Sequence, residues 1–310
     1  RAFDGRAVAV KPSGLTGGKG VKVMGPHLAD HGEARAYALS LLERRSELDS
    51  VLIEEKVQGA EFTIQAISDG RSVVFPPSTY DYPFRFDGDS GPGTGGMGSL
   101  NVDAPALPFM SMRDYEQACS IIELVIERLA DEGRRFNGVM NSGFFATADG
   151  VKVIEFNARF GDPECMNIMC LLDGSWPHVM QRICAQSLTA ADVPLTDDAS
   201  VVLYLVSPDY ALAPGDPITF ELDERAIEND AAHVFFSSAV AVGERTFRTV
   251  GTSRAVALAA SAPTLAAARE RVVAGAATVP QLQWRRDVGD ERYLQGLQHL
   301  LAPQPAQRYV

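Results

Sequence analysis

Glu155, Asn157 and Arg159 occupy alternate positions in the run VKVIEFNARFGDPE, residues 151–164. If the run is extended, side chains two apart share a face. Val151 and Val153 would then lie in a core, and the same face would go on to offer a carboxylate, an amide oxygen and a guanidinium. A carboxylate and an amide at that spacing suit a hard cation such as Mg²⁺, which takes oxygen ligands and is commonly shared with phosphate. A strand end also finishes in such residues for local reasons, Glu155 as a surface charge and Asn157 as a turn former. The choice between these readings rests on what the rest of the chain supplies.

Three other stretches carry polar chemistry. The turn Gly14-Leu-Thr-Gly17-Gly18-Lys19-Gly20 follows the apolar run AVAVK, which ends in Lys11. It does not fit a Walker A loop, because the spacing is short and Gly20 stands where a metal-binding hydroxyl belongs. Glycine amides with Lys11 and Lys19 still suit a polyphosphate, although a flexible hairpin would look the same. Gly91 to Gly96 match GxGxxG literally. The dinucleotide fingerprint needs an apolar strand before it and a helix directly behind, and neither is present, so a flexible lid or substrate loop is predicted. Finally, the edge Glu54-Glu55-Lys56-Val57, followed by Glu61, can offer backbone groups to an adenine and a carboxylate to a ribose. Alone it would be a solvated charged edge. The five histidines lie outside all of these motifs, so no His-dependent nucleophile is expected.

The elements that must position these groups are legible as patterns. Residues 7–11, 21–24, 51–56 and 61–67 read as strands. Between them lies a helix with Asp30 and Glu33 at capping-box spacing. Ser111 opens a long amphipathic helix that closes at Gly133. Residues 138–147 and 151–157 form a hairpin through Ala-Asp-Gly. Asp162-Pro163 fits an N-cap with proline in the first helical position, and a further helix covers 176–188. Past the polar stretch 189–199 the chain is strand-rich, with one helix near 265–274, the pattern of a smaller α+β domain.

Composition narrows the partners. A chain of 310 residues with 46% hydrophobic and 22% charged residues is an ordinary globular sequence. Its net charge of −12 argues against general nucleic-acid or anionic-membrane binding. Four cysteines show no CxxC pair or zinc spacing, which suggests reduced thiols and a cytoplasmic protein. No apolar run reaches membrane-spanning length, and no signal peptide is evident. The chain opens at RAFDGRAVAVK without Met, a few residues before a core strand, so the start of a natural protein is expected to be missing.

The series VKPSGLTGGKGVKV, VLIEEKVQGAEFTIQA, GPGTGGMGS and VIEFNARFGDPE, in this order and spacing, resembles the glycinamide ribonucleotide synthetases (phosphoribosylamine–glycine ligases) of the ATP-grasp superfamily, in their archaeal form. TSRAVALAA and WRRDVG echo later family segments, so the likeness covers nearly the whole chain. The resemblance implies an α+β ATP-grasp fold with a small swivelling lobe (1–66), a catalytic lobe (67–192) and a strand-rich C-terminal domain (193–310). It implies ATP and Mg²⁺ or Mn²⁺ as cofactors, with small-molecule acid and amine substrates. Lys11 and Gly14 to Gly20, including Gly17, Gly18 and Lys19, would cover the phosphates. Glu54, Lys56 and Val57 would line the adenine and Glu61 the ribose. Glu155 and Asn157 would bind the metal, Arg159 the transferring phosphate, and Asp162 the amino-acid side. Asp81, Arg85, Gly95, Gly96, Met97 and Pro163 would complete the substrate side. The reaction would pass through an acyl phosphate to an amide, chemistry that asks mainly for positioning and charge stabilisation.

The chain also departs from the family pattern. Where the family carries a QDHKR-like segment, this sequence has Tyr80-Asp81-Tyr82-Pro83-Phe84-Arg85, keeping only Asp81, with Arg85 as a candidate replacement cation. The LY before the metal strand is Met140-Asn141, PNTGGMG is altered at Gly93, and the PEGYP turn reads Ser207-Pro208-Asp209-Tyr210-Ala211. The family's N-terminal domain has no counterpart here, which implies a trimmed or separately encoded domain. Two alternatives therefore stand beside glycinamide ribonucleotide synthesis. One is a paralogue joining a different acid and amine, because a substrate phosphate would lack its counter-charges. The other is a catalytically silent nucleotide-binding subunit.

Overall fold

The computed structural model describes residues 3, 5–13, 20–43 and 50–301. These divide into two compact units, one ending at Gly59 and the other running from Ala60 to Leu301. In the smaller unit, β1 (Val8–Pro12) pairs antiparallel with β2 (Lys22–Val23). After α1 (His31–Glu43) the chain returns as β3 (Val51–Glu55) on the other side of β1. The helix starts where its cap predicts: the Glu33 amide donates to Asp30 Oδ1 at 2.8 Å, and Glu33 Oε2 accepts from the Ala29 amide at 2.8 Å. Ala34 and Ala38 of α1 close over Val8, Val10, Met24 and Leu28 as a separate small core.

The larger unit begins with β4 (Ala60–Asp69), β5 (Val73–Val74) and β6 (Tyr80–Asp81). The stretch expected to be a flexible lid or substrate loop is ordered into β7 (Phe84–Phe86), β8 (Ser90–Gly93) and β9 (Gly98–Asn101). The physical reason is a buried cation contributed from the far end of the sequence. Arg285 has a fully buried side chain, pairs with Asp89 Oδ1 at 3.0 Å and Asp287 Oδ2 at 2.6 Å, and donates to Phe84 O at 3.1 Å. It also stacks 4.8 Å from the Tyr82 ring.

Next come α2 (Met112–Asp131), β10 (Asn137–Thr147) and β11 (Gly150–Asn157). Ser111 and Asp114 form a capping box at the start of α2. The four-stranded sheet runs β11-β10-β4-β5, its central pairing extending from Asn137 opposite Asp69 to Ala146 opposite Ala60. One face, with Phe62, Ile64 and Phe144, packs in the core with Ala118, Ile122 and Ile126 of α2.

The chain continues through α3 (Glu164–Leu171), α4 (Trp176–Cys184), β12 (Ala199–Leu205), β13 (Thr219–Glu221) and α5 (Glu224–Asn229). It finishes with β14 (His233–Phe236), β15 (Ala239–Ala241), β16 (Thr246–Thr249), β17 (Val256–Ala262), α6 (Leu265–Ala277) and α7 (Glu291–Gly296). Every residue of β12 is buried, as its continuous apolar run requires. A five-stranded sheet of order β14-β17-β12-β9-β6 therefore draws strands from both sides of residue 192. The division expected at 66 likewise falls inside β4.

Replacing Arg285 by Met would leave Asp89 and Asp287 partly buried without their cation. Urea unfolding of this variant is expected to show a loss of about 3 kcal/mol, and an unchanged midpoint would contradict the anchoring role.

Candidate functional site

The pairing of β11 with β10 changes what the alternation in VKVIEFN means. Val151 lies opposite Ala146 and Val153 opposite Phe144, but Glu155 lies opposite Gly143, with a bulge between. The extra residue, Ile154, shifts the alternation by one. Val151 and Val153 thus share the face of Phe144, whereas Glu155 and Asn157 lie on the opposite face. They do not form a single row. Val153 is also 44% exposed rather than in the core, because β11 is the edge strand of its sheet.

On the face that carries Glu155 and Asn157, antiparallel register fixes the neighbours, since directly paired residues point to the same side. Glu155, Gly143 and Thr63 form one row, and Asn157, Asn141 and Gln65 the next. Glu61, opposite Phe145, belongs to the same face. Asn157 Nδ2 donates to Glu155 Oε1 at 2.9 Å, so the two side chains meet on this face. Two adjacent oxygen donors on a half-open surface fit a cation that keeps waters and shares phosphate oxygens. Among the described residues no group of three His, Cys, Asp or Glu side chains could enclose a metal by itself. Arg159 is exposed, and its Nη1 donates to Phe160 O at 2.8 Å.

Beside this row lies a cluster of buried acidic and amide side chains. The Gly161 amide donates to Gln65 Oε1 at 2.7 Å, and Asn141 Nδ2 approaches Glu164 Oε1 at 3.4 Å. Gln65 Nε2, Asn141 Oδ1 and Asp81 Oδ1 are buried without a hydrogen-bond partner. Burial raises the Asp81 carboxyl well above the usual carboxylate range, and the Glu164 charge adds to this while Arg254 opposes it. Burial also raises Glu164, with Asp162 acting in the same direction.

In the smaller unit Lys11 Nζ pairs with Glu54 Oε2 at 2.5 Å, and Lys56 Nζ donates to Met24 O at 2.9 Å. Val57 is half-buried just past β3. Gly17, Gly18 and Lys19 lie outside the described residues. Arg85 does not present a cation to a substrate: it is 2% exposed, and its guanidinium donates to Tyr210 O at 3.1 Å and Gln283 Oε1 at 2.7 Å. Met97 is fully buried and belongs to the core. Gly96 has φ +99, and a Cβ there would meet Pro163 Cδ at 2.5 Å and Asp81 Oδ1 at 2.6 Å, so only glycine fits. The Gly95 and Gly96 amides are directed at Tyr210 OH (3.4 Å) and Thr94 Oγ1 (3.1 Å).

Asp162 does not cap α3. Pro163 is itself the N-cap residue, joined to Asp162 by a cis peptide, and no side chain caps the helix. The Asp162 carboxylate instead accepts from Tyr204 OH at 2.8 Å and Arg254 Nη2 at 2.7 Å. Sequence reasoning missed Thr63, Gln65, Glu164, Tyr204 and Arg254. Alternation from Glu61 could have found the first two. Arg254 lies in TSRAVALAA, which the sequence marked only as a family likeness, and no local signal marks Tyr204.

The upward shifts of Asp81 and Glu164 have a definite consequence for stability. The folded chain holds these protons to higher pH than the unfolded chain does. Their contribution to stability is therefore complete below about pH 4 and is lost as pH rises through the folded pKa. Melting temperature measured across the acidic-to-neutral range should fall less steeply in Asp81→Asn or Glu164→Gln than in the wild type. Parallel curves would contradict the assignment.

Residues 1–165 match the family described as phosphoribosylglycinamide synthetase, ATP-grasp (A) domain. The phosphoribosylamine–glycine ligase of Thermococcus kodakarensis is 40% identical over 286 residues, covering 92% of this chain and 64% of that protein. The ligase of the same name from Methanothermobacter thermautotrophicus is 39% identical over 289 residues, covering 93% and 65%. The chain thus spans just under two thirds of the length of these curated relatives. Among solved structures, phosphoribosylamine–glycine ligase from Thermotoga maritima superimposes with a TM-score of 0.73 at 24% identity, covering 90% of this chain and 68% of that one. The biotin carboxylase domain of Hydrogenobacter thermophilus 2-oxoglutarate carboxylase, solved with MgADP and bicarbonate, gives 0.66 at 15%, covering 97% and 67%. These likenesses show that the fold is ATP-grasp and that the chain belongs to the phosphoribosylglycinamide synthetase ATP-grasp (A) domain family.

Proposed function

We propose that this chain carries the nucleotide-binding and chemical parts of an ATP-dependent carboxylate–amine ligase, joining glycine to phosphoribosylamine in purine synthesis and working in the cytoplasm. The observation that carries the reading is the sheet face on which Glu155 and Asn157 stand 2.9 Å apart beside Glu61, Thr63 and Gln65. Glu155 and the Asn157 oxygen would hold Mg²⁺ or Mn²⁺, which when bound supplies charge neutralisation for the phosphates. Arg159, exposed two residues on, is set to meet the phosphoryl group as it transfers. Lys11, Gly17, Gly18 and Lys19 would cover the remaining phosphates. Glu54, Lys56 and Val57 would face the adenine and Glu61 the ribose. The carboxylate substrate takes the phosphoryl group to form an acyl phosphate, and the amine then displaces phosphate to form the amide. Asp162 faces the amino-acid side with Asp81, Gly95, Gly96 and Pro163 packed behind it.

A second reading, a ligase for a different acid and amine, is favoured by one observation. Tyr82 is fully buried and Arg85 is occupied by Tyr210 O and Gln283, so the segment 80–85 offers no cation to a substrate phosphate. ADP release with glycine, phosphoribosylamine and Mg-ATP supports the first reading. Release only with other pairs supports the second. In either case Glu155→Gln should lower turnover at least about 100-fold. An unchanged rate would sink the metal-dependent reading.

A further inference from the structure

We infer that Arg254 and Tyr204 are positioning residues for the substrate side of the site, holding Asp162 and the Gly95–Gly96 turn in one fixed arrangement. This inference rests on the ligase reading above. Arg254 stands just before β17 and Tyr204 lies within β12, and neither belongs to any motif that points to nucleotide or metal.

The geometry is that of a clamp. Arg254 Nη2 donates to Asp162 Oδ2 at 2.7 Å. Its Nη1 donates to Gly96 O at 2.9 Å, Asp162 O at 3.3 Å and Gly95 O. The guanidinium lies 4.2 Å from the centre of the Tyr204 ring, and Tyr204 OH donates to Asp162 Oδ1 at 2.8 Å. One planar cation therefore joins two loops 66 residues apart, the offset from Gly96 to Asp162.

Burial shows what the clamp leaves open. The Arg254 side chain is 9% exposed, whereas that of Asp162 is 47% exposed. One side of the carboxylate is held and the other faces outward, so its direction is set by groups the substrate does not touch. A lysine would supply one point charge in place of a fork and could not satisfy carbonyls and carboxylate together. Removing the Tyr204 hydroxyl would free Asp162 Oδ1 while keeping the ring under Arg254.

The test uses the full chain with Tyr204→Phe and Arg254→Lys. Tyr204→Phe loses one hydrogen bond to a charged group, so KM for the acid or amine substrate should rise about tenfold. KM for ATP should stay unchanged. Arg254→Lys should shift the same constant further. Hydrogen exchange of the unliganded protein gives a readout independent of turnover, with faster exchange expected at residues 95–97 and 161–164 in both variants. An equal rise in both KM values, or unchanged exchange, would overturn the inference. If the wild type turns over no acid–amine pair, the ligase reading fails, and exchange alone decides the positioning role.

Discussion

The antiparallel ladder between β4 and β10 is the constraint on which the site depends. Its register sets Glu61 opposite Phe145, Thr63 opposite Gly143 and Gln65 opposite Asn141. Because period-two alternation is strict, a slip of one residue would send all of these polar groups into the core packed against α2 and bring Phe62 and Ile64 out. The apolar face buries Phe62, Ile64 and Phe144, so hydrophobic burial selects the register. The polar face follows as a consequence.

The bulge at Ile154 works with that ladder. β11 needs Val151 on the core side, while Glu155 and Asn157 must stand beside Thr63 and Gln65. An unbroken strand cannot do both with these residues at odd positions. One extra residue reverses the alternation, at the edge of the sheet, where interrupted pairing disturbs one neighbour only.

Three arginines from distant positions order loops of the larger unit. In a chain of net charge −12, Arg85, Arg254 and Arg285 are buried rather than used on the surface. Each is matched to acceptors with fixed geometry, carbonyls for Arg85 and carboxylates with carbonyls for Arg254 and Arg285. Desolvating a guanidinium is costly unless its hydrogen bonds are made. The same requirement forces the segments that supply those acceptors to take one conformation, which is why residues 84–93 form a hairpin.

Much of the chemistry was legible in one dimension. The acid–amide pair, the Asp30 cap of α1, the capping box of α2, the β10–β11 hairpin and the strand-rich C-terminal part all depend on neighbours in sequence, and local periodicity and turn chemistry report them. Ordered motifs were enough to indicate the ATP-grasp family, since a nucleotide site is built from contiguous stretches. The tertiary structure alone decided which face Glu155 occupies, because a bulge depends on the partner strand. It alone showed Arg85 to be a buried tie, Asp162 to be held by Arg254 and Tyr204, and Asp81 to be buried within reach of the Glu164 charge. These facts concern residues tens to hundreds of positions apart, and their side chains meet only when hydrophobic burial brings the sheets of the larger unit into place. Residues 151–164 by themselves determined a set of groups able to bind a cation and phosphate. Their direction was set by the packing around them.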